Sequence, residues 1–285
     1  MTNIEVKTRS IMKCLSKAEQ KVANYFLNNI ESIFSSPISK LAEESGVSQV
    51  TWIRFCKAIG FSGLKDLKKN LFIELNNTMP DKNECLLFCD IKKDSSFDDM
   101  CNTIKNTSIQ AIEDTIKLID SDKFYKAVNC ILKSKFVRIF GVGCSGQVAK
   151  DLQRKLMRIN INTIFCEDLH SQLTYAANAT ADDVAIIFSY SGATKEMLEI
   201  LSLTKEVNCT SIAITKFSKS PLASEADISI YLSAPDMDFW SGAMSSRIAQ
   251  LVIIDLLFIT LSNTNYTKIQ KQLKRCSDVG RSHRI

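Results

Sequence analysis

VAIIFSYSGATKE, running from Val184 to Glu196, decides how the chain is read. It opens with a short apolar run rich in β-branched residues, which reads as a buried strand. The run ends abruptly, and Ser189, Ser191 and Thr194 then crowd around Gly192 in a tight loop that opens a helix. Hydroxyls and backbone N–H groups at such a turn can surround one phosphate. Working outward, FVRIFGV (136–142), NTIFCE (162–167), TSIAIT (210–215) and ISIYLS (228–233) are runs of the same kind, with helix-length segments between the first four strands. This alternation predicts an α/β domain with a five-stranded parallel sheet and helices on both faces. Ligands in that architecture bind beyond the carboxyl ends of the strands, where the Val184–Glu196 loop lies.

The first strand runs into GVGCSG, in which Gly141, Gly143 and Gly146 form a literal GxGxxG before a helix. Glu167 or Asp168 nearly meets the acidic position a dinucleotide site wants about twenty residues further on. A dinucleotide would nevertheless leave Ser189, Ser191 and Thr194 without a role. A monophosphate ester uses them, so no cofactor is expected.

The rest of the composition is that of a globular protein of 285 residues, 45% apolar and 24% charged, long enough for one large or two modest domains. MTNIEVKTRSIM has no apolar core or cleavage site, and the run LVIIDLLFITL from Leu251 is too short to span a bilayer and holds Asp255. The expectation is a cytoplasmic protein with no membrane partner. Ten cysteines are scattered without a CxxC pair, so they are expected to be reduced and mostly packed thiols rather than a disulfide framework or a metal site. Net charge is +5, and residues 1–77 hold most of it, with eleven Lys and Arg against seven Asp and Glu. A basic segment beside a nearly neutral one points weakly to nucleic acid.

Periodicity strengthens that pointer. In LSKAEQKVANYFLNNIESI, Ser16 and Glu19 form a capping box, and Val22, Tyr25, Phe26 and Ile30 follow at helical spacing. PISKLAEESGVSQVTWIRFCKAIG then predicts two helices separated by a short turn, the first opening near Pro37 and ending at Gly46, the second capped by Ser48 and reaching Ile59. Ala42, Gly46, Val47, Trp52 and Phe55 supply the small crossing residue, the turn glycine and the apolar anchors of an all-α helix-turn-helix. Ser48, Gln49, Thr51, Arg54 and Lys57 on the second helix can bond base edges or phosphates, and Lys65, Lys68 and Lys69 follow on the next helix. Residues 78–96 mix turn formers and charges and read as a linker; helices are expected at about 97–120 and 122–133. The domains are therefore expected at 1–77, a candidate reader of a double-stranded DNA operator if its polar helix face is more than a solvated surface, and at 97–285.

GVGCSG with FSYSGATKE resembles the sugar isomerase (SIS) domain of sugar-phosphate isomerases and regulators, a flavodoxin-like fold. LSKAEQKVANYF and LAEESGVSQVTWIRFCKAIGFSGLKDLK resemble the N-terminal domain of MurR/RpiR-type transcriptional regulators, and SSRIAQLVIIDLLF resembles their closing helix. The resemblance covers nearly the whole chain. It implies a DNA-binding homodimer or tetramer that regulates carbohydrate genes and senses a phosphosugar effector. Carried over, Gly143, Ser145, Ser189, Ser191, Gly192 and Thr194 hold the effector, joined by His170 from EDLHSQL, while the helix from Gln49 to Lys57 reads DNA. Trp52 departs from the small β-branched residue usual in that family. The competing reading is a sugar-phosphate isomerase or lyase with an accessory helical domain. Such an enzyme has no use for Arg54 on a basic helix, so no catalytic residue is assigned.

Overall fold

The computed structural model describes residues 2–30, 33, 36–77, 95–234, 243–264 and 266–281. Most of the expected linker, residues 78–94, lies outside them. The chain divides into two compact units, Met1–Thr107 with Phe217–Lys219, and Ser108–Lys216 with Ser220–Ile285.

The first unit is helical: α1 (Asn3–Ile11), a 3₁₀ turn (Met12–Cys14), α2 (Lys17–Asn28), α3 (Ile38–Glu44), α4 (Gln49–Ala58) and α5 (Leu64–Asn77). The capping box at the start of α2 forms as its sequence demands, with Ser16 accepting from the Glu19 N–H while Glu19 accepts from the Ser16 N–H. Pro37 is the residue just before α3 rather than its first member. α3 ends on Gly46 at φ +65°, where the Val47 N–H reaches the Ala42 carbonyl and the Gly46 N–H reaches that of Glu43. Only a residue at ease with positive φ closes a helix in this way. Ser48 then caps α4 by accepting from the Thr51 N–H at 3.2 Å. α1 was not expected. Its buried face mixes Ile4, Val6 and Ile11 with Thr8 and Ser10, so it carries no clean apolar stripe.

Trp52 is fully buried, with its ring edge-on to Tyr25 and Phe55. Its indole N–H donates to Ser45 Oγ at 2.9 Å, and Ser45 Oγ donates to the Leu41 carbonyl. The large residue is thus seated with its polar atom satisfied, and it ties α2, α3 and α4 together.

The second unit takes in the later part of α6 (Phe97–Leu118) and all of α7 (Ser121–Lys133). Its further elements are β1 (Val137–Gly141), α8 (Gly143–Arg158), β2 (Thr163–Ile164), α9 (Leu169–Ala177), β3 (Val184–Phe188), α10 (Lys195–Glu206), β4 (Thr210–Lys216), α11 (Pro221–Glu225), β5 (Ile228–Leu232), α12 (Met244–Thr264) and α13 (Tyr266–Arg281). All strand pairs are parallel, in the order β2-β1-β3-β4-β5. Alternate residues split between two cores: Ile139, Ile186, Phe188, Ile212 and Ile214 face α7, α8 and α12, whereas Phe140, Ala185, Ile187 and Ala213 face α9, α10 and α11. The expected sheet with helices on both faces is present. α9 is pinned by Arg138, which is buried, pairs with Asp183 and donates to the Tyr175 and Asn178 carbonyls, each at 2.9 Å.

Two expectations need correction. LVIIDLLFITL is the middle of a 21-residue helix, α12, which is long and apolar enough to cross a membrane. Ala249, Ile253, Ile254, Leu257 and Leu261 are buried in the sheet's core, which accounts for its hydrophobicity. Asp255 pairs with Lys155 at 2.7 Å. The cysteines are also less packed than expected: Cys14, Cys101, Cys144 and Cys276 are exposed. Cys56 and Cys209 are buried, and burial pushes their thiols up to about 12 and about 11.

Candidate functional site

In the first unit, burial of Trp52, Phe55 and Cys56 sets the rotation of α4. Ser48, Gln49, Arg54 and Lys57 are left exposed and Thr51 half-buried; Arg54 and Lys57 fall on the side opposite the buried set, and Ser48 and Gln49 are exposed at the helix start. On α5, Lys65 and Lys69 are exposed. Lys68 is not equivalent to them. Its Nζ donates to the Ser36 carbonyl at 2.7 Å, and burial holds its pKa below the ordinary lysine value. The ammonium assigned to DNA is engaged within the domain, and sequence spacing alone gave no sign of that.

In the second unit, the strand order places β1 and β3 side by side, with β2 and its crossover on one side and β4 on the other. That is the topological switch point, where the loops after two adjacent strands diverge and leave a crevice. Gly143 and Ser145 stand in the first turn of α8, directly after β1, and the loop after β3 holds Ser189, Ser191, Gly192 and Thr194. Six of the seven effector residues read from the sequence therefore flank one crevice. Ser189 is buried, with its Oγ 2.9 Å from Thr194 Oγ1 and accepting from the Gly192 N–H; Ser191 Oγ accepts from the Ala193 N–H. Gly192 has φ +65°, and a Cβ there would stand 2.1 Å from Ser220 Oγ and 2.8 Å from Thr215 Oγ1. No other residue fits this turn. His170 is exposed on the first turn of α9, the seventh member of the set.

The two helices that open from these loops differ from most of their neighbours. α1, α2, α4, α7, α9 and α11 each have a side chain accepting from a first-turn N–H. α8 and α10 have none, although Thr194 stands at the capping position of α10 with a hydroxyl to offer. Thr194 directs it to Ser189 instead. Two helix N-termini, each carrying partial positive charge, thus open from this crevice without a side-chain acceptor.

Comparison with known proteins agrees over the full length. Residues 2–78 match the helix-turn-helix domain of the rpiR family and residues 131–260 match the SIS domain. An uncharacterised HTH-type transcriptional regulator of Caldanaerobacter subterraneus is 35% identical, covering 98% of this chain and 97% of its own. The chain belongs to the rpiR family of helix-turn-helix transcriptional regulators. A further relative, the HTH-type transcriptional regulator HexR of Escherichia coli, is 30% identical, covering 99% of this chain and 96% of its own. Among solved structures, the NanR protein of Vibrio vulnificus, complexed with ManNAc-6P, is similar at a TM-score of 0.60 and 25% identity, covering 97% of both chains.

This rpiR-family regulator also uses a residue that the sequence reading passed over. β2 is only two residues long and pairs with Val137 and Arg138, so the upper part of β1 has β3 on one side and no strand on the other. The buried amide of Gln172 takes that place, accepting from the Gly141 N–H and donating to the Gly141 carbonyl, both at 3.0 Å. It fixes the strand end from which GVGCSG departs. The expected strand 162–167 was too long, and its overextension hid the need for Gln172. Gln250, buried on α12, similarly donates to Ser145 Oγ at 3.0 Å.

Two carboxylates near this rim, Glu167 and Asp168, are held toward their ionised form. Glu167 is paired with Lys150, which holds it below the usual carboxylate range, and Asp168 is lowered by the Ser171 N–H it accepts from at the start of α9. A general acid or base working near neutrality needs the opposite shift.

Proposed function

We propose that this regulator binds a twofold-symmetric operator through residues 1–77, and that a phosphosugar held by residues 97–285 controls its activity on carbohydrate genes. The observation that carries the effector site is the pair of helices α8 and α10, left without side-chain caps where Ser145, Ser189, Ser191 and Thr194 gather. A phosphate monoester brings nearly two negative charges and needs such donors. A sugar phosphate in NanR, similar along its whole length, supports the ligand class. Gly143 and Gly192 are taken to give backbone access, and His170, exposed on the first turn of α9, is assigned to the sugar ring. The protein binds the phosphosugar without turning it over, acts in the cytoplasm and works as a homodimer or tetramer; the depressed pKa values of Glu167 and Asp168 speak against the isomerase reading.

On the DNA side, Ser48, Gln49, Thr51, Arg54 and Lys57 face the groove, and Lys65 with Lys69 meets phosphates, while Lys68 holds α5 to the segment at Ser36. Arg54→Ala is expected to lower specific operator affinity by about 1–3 kcal/mol. Fluorescence anisotropy on an operator selected from random duplexes measures it. Unchanged affinity in that variant overturns the placement of α4 on DNA.

A further inference from the structure

α4 carries two large apolar side chains on the side that the domain core leaves open. Val50 is 57% exposed and Ile53 39%, while Trp52, Phe55 and Cys56 of the same helix are fully buried. At about 3.6 residues per turn, Val50 falls opposite the middle of the buried set, with Lys57 and Ile53 on one flank and Arg54 on the other. A side chain in that position projects furthest from the domain. Isolated exposed hydrophobics are ordinary on protein surfaces. These two, however, stand among Gln49, Arg54 and Lys57, a cationic and hydrogen-bonding surround that suits a polyanion better than the apolar centre of a protein interface.

Among the groups that base pairs offer in the major groove, the thymine C5-methyl is the apolar one. Resting on the reading that α4 faces DNA, we propose that Val50, with Ile53 beside it, reads thymine methyl groups and so determines part of the operator sequence. Arg54 and Gln49 supply directional bonds at neighbouring positions, whereas Val50 rewards a methyl and leaves the amino group of a cytosine without a partner. The discrimination is one of shape and desolvation, and it acts where no hydrogen bond can be drawn.

The test uses the intact chain and its selected operator, with each thymine replaced in turn by deoxyuridine, which keeps every hydrogen-bonding group and loses only the methyl. At one or more positions per half-site the wild-type protein is expected to bind about fourfold more weakly, the worth of one buried methyl-sized group. Val50→Ala should show a similar loss on the normal operator and no further loss when deoxyuridine stands at that position. Its side chain is exposed, so the variant should melt with the wild type, and Ile53→Ala provides a second probe of the same face. An operator with no thymine dependence, or full deoxyuridine sensitivity retained in Val50→Ala, overturns the proposal. That outcome is separable from failure of the DNA reading itself, which Arg54→Ala reports.

Discussion

The double variant Ser189→Ala, Ser191→Ala is expected to lose phosphosugar binding while keeping its fold. In the proposed site each hydroxyl donates to a phosphate that carries close to two charges, and a hydrogen bond to a charged group is worth about 1.5–3 kcal/mol. Both together represent on the order of 3–6 kcal/mol, roughly a hundredfold to ten-thousandfold in affinity, less any coupling between the two neighbours. The loop should survive the change. The Gly192 N–H also reaches the Ser189 carbonyl at 3.1 Å, so it does not depend on the serine hydroxyl alone. Isothermal titration with a panel of sugar phosphates measures the loss, and wild-type affinity in the double variant places the phosphate elsewhere. Thr194→Ala separates recognition from mere helix capping. Because the Thr194 side chain accepts from no first-turn N–H, its removal should leave the melting temperature nearly unchanged and still weaken the ligand.

The second large effect concerns the reading domain. Trp52→Ala removes a fully buried indole from the junction of α2, α3 and α4, and large aromatic deletions of this kind cost about 3–5 kcal/mol. It also leaves Ser45 Oγ without its indole donor, although Ser45 keeps the Leu41 carbonyl. Hydrogen exchange in peptides covering residues 41–59 should rise steeply, with operator binding lost in parallel. Exchange in β1 and β3 should hardly move, because those strands belong to the other unit. Trp52→Phe should retain most of the packing and give a much smaller change. Equal exchange in wild type and Trp52→Ala would mean that Trp52 is not the pivot of this domain.

How far the sequence sufficed depended on whether a feature was local. The Ser16 and Ser48 caps, the Gly46 turn and the β3 strand with its Ser189–Thr194 loop were legible because each is governed by residues within one turn of itself. Features decided by distant partners were not. Lys68 read as one of three equivalent cations until the Ser36 carbonyl, far away in sequence, claimed its ammonium. The task of Gln172 was hidden, since it arises only when β2 stops at Ile164 and leaves the Gly141 peptide without a strand on the side away from β3. Nothing in the sequence singles out Val50 and Ile53, and only the burial of Trp52 and Phe55 shows that the core is already filled without them. Trp52 is the converse case: a residue unusual for its position proves to be well accommodated.

A ligand shifts an equilibrium only by the difference in its affinity for the two states, and the protein's central property is that difference, not the binding alone. The most direct measurement is the operator affinity of wild type and Ser191→Ala, each titrated with every sugar phosphate that calorimetry shows to bind the wild type. The wild-type operator constant is expected to move by a factor on the order of 5–150 with at least one of them. Ser191→Ala should bind operator as the wild type does without ligand, and its constant should stay fixed across the same titration. If the wild-type constant is indifferent to a sugar phosphate that demonstrably occupies the protein, or if Ser191→Ala responds as fully as the wild type, the loop at Ser189–Thr194 is not the sensor of this regulator.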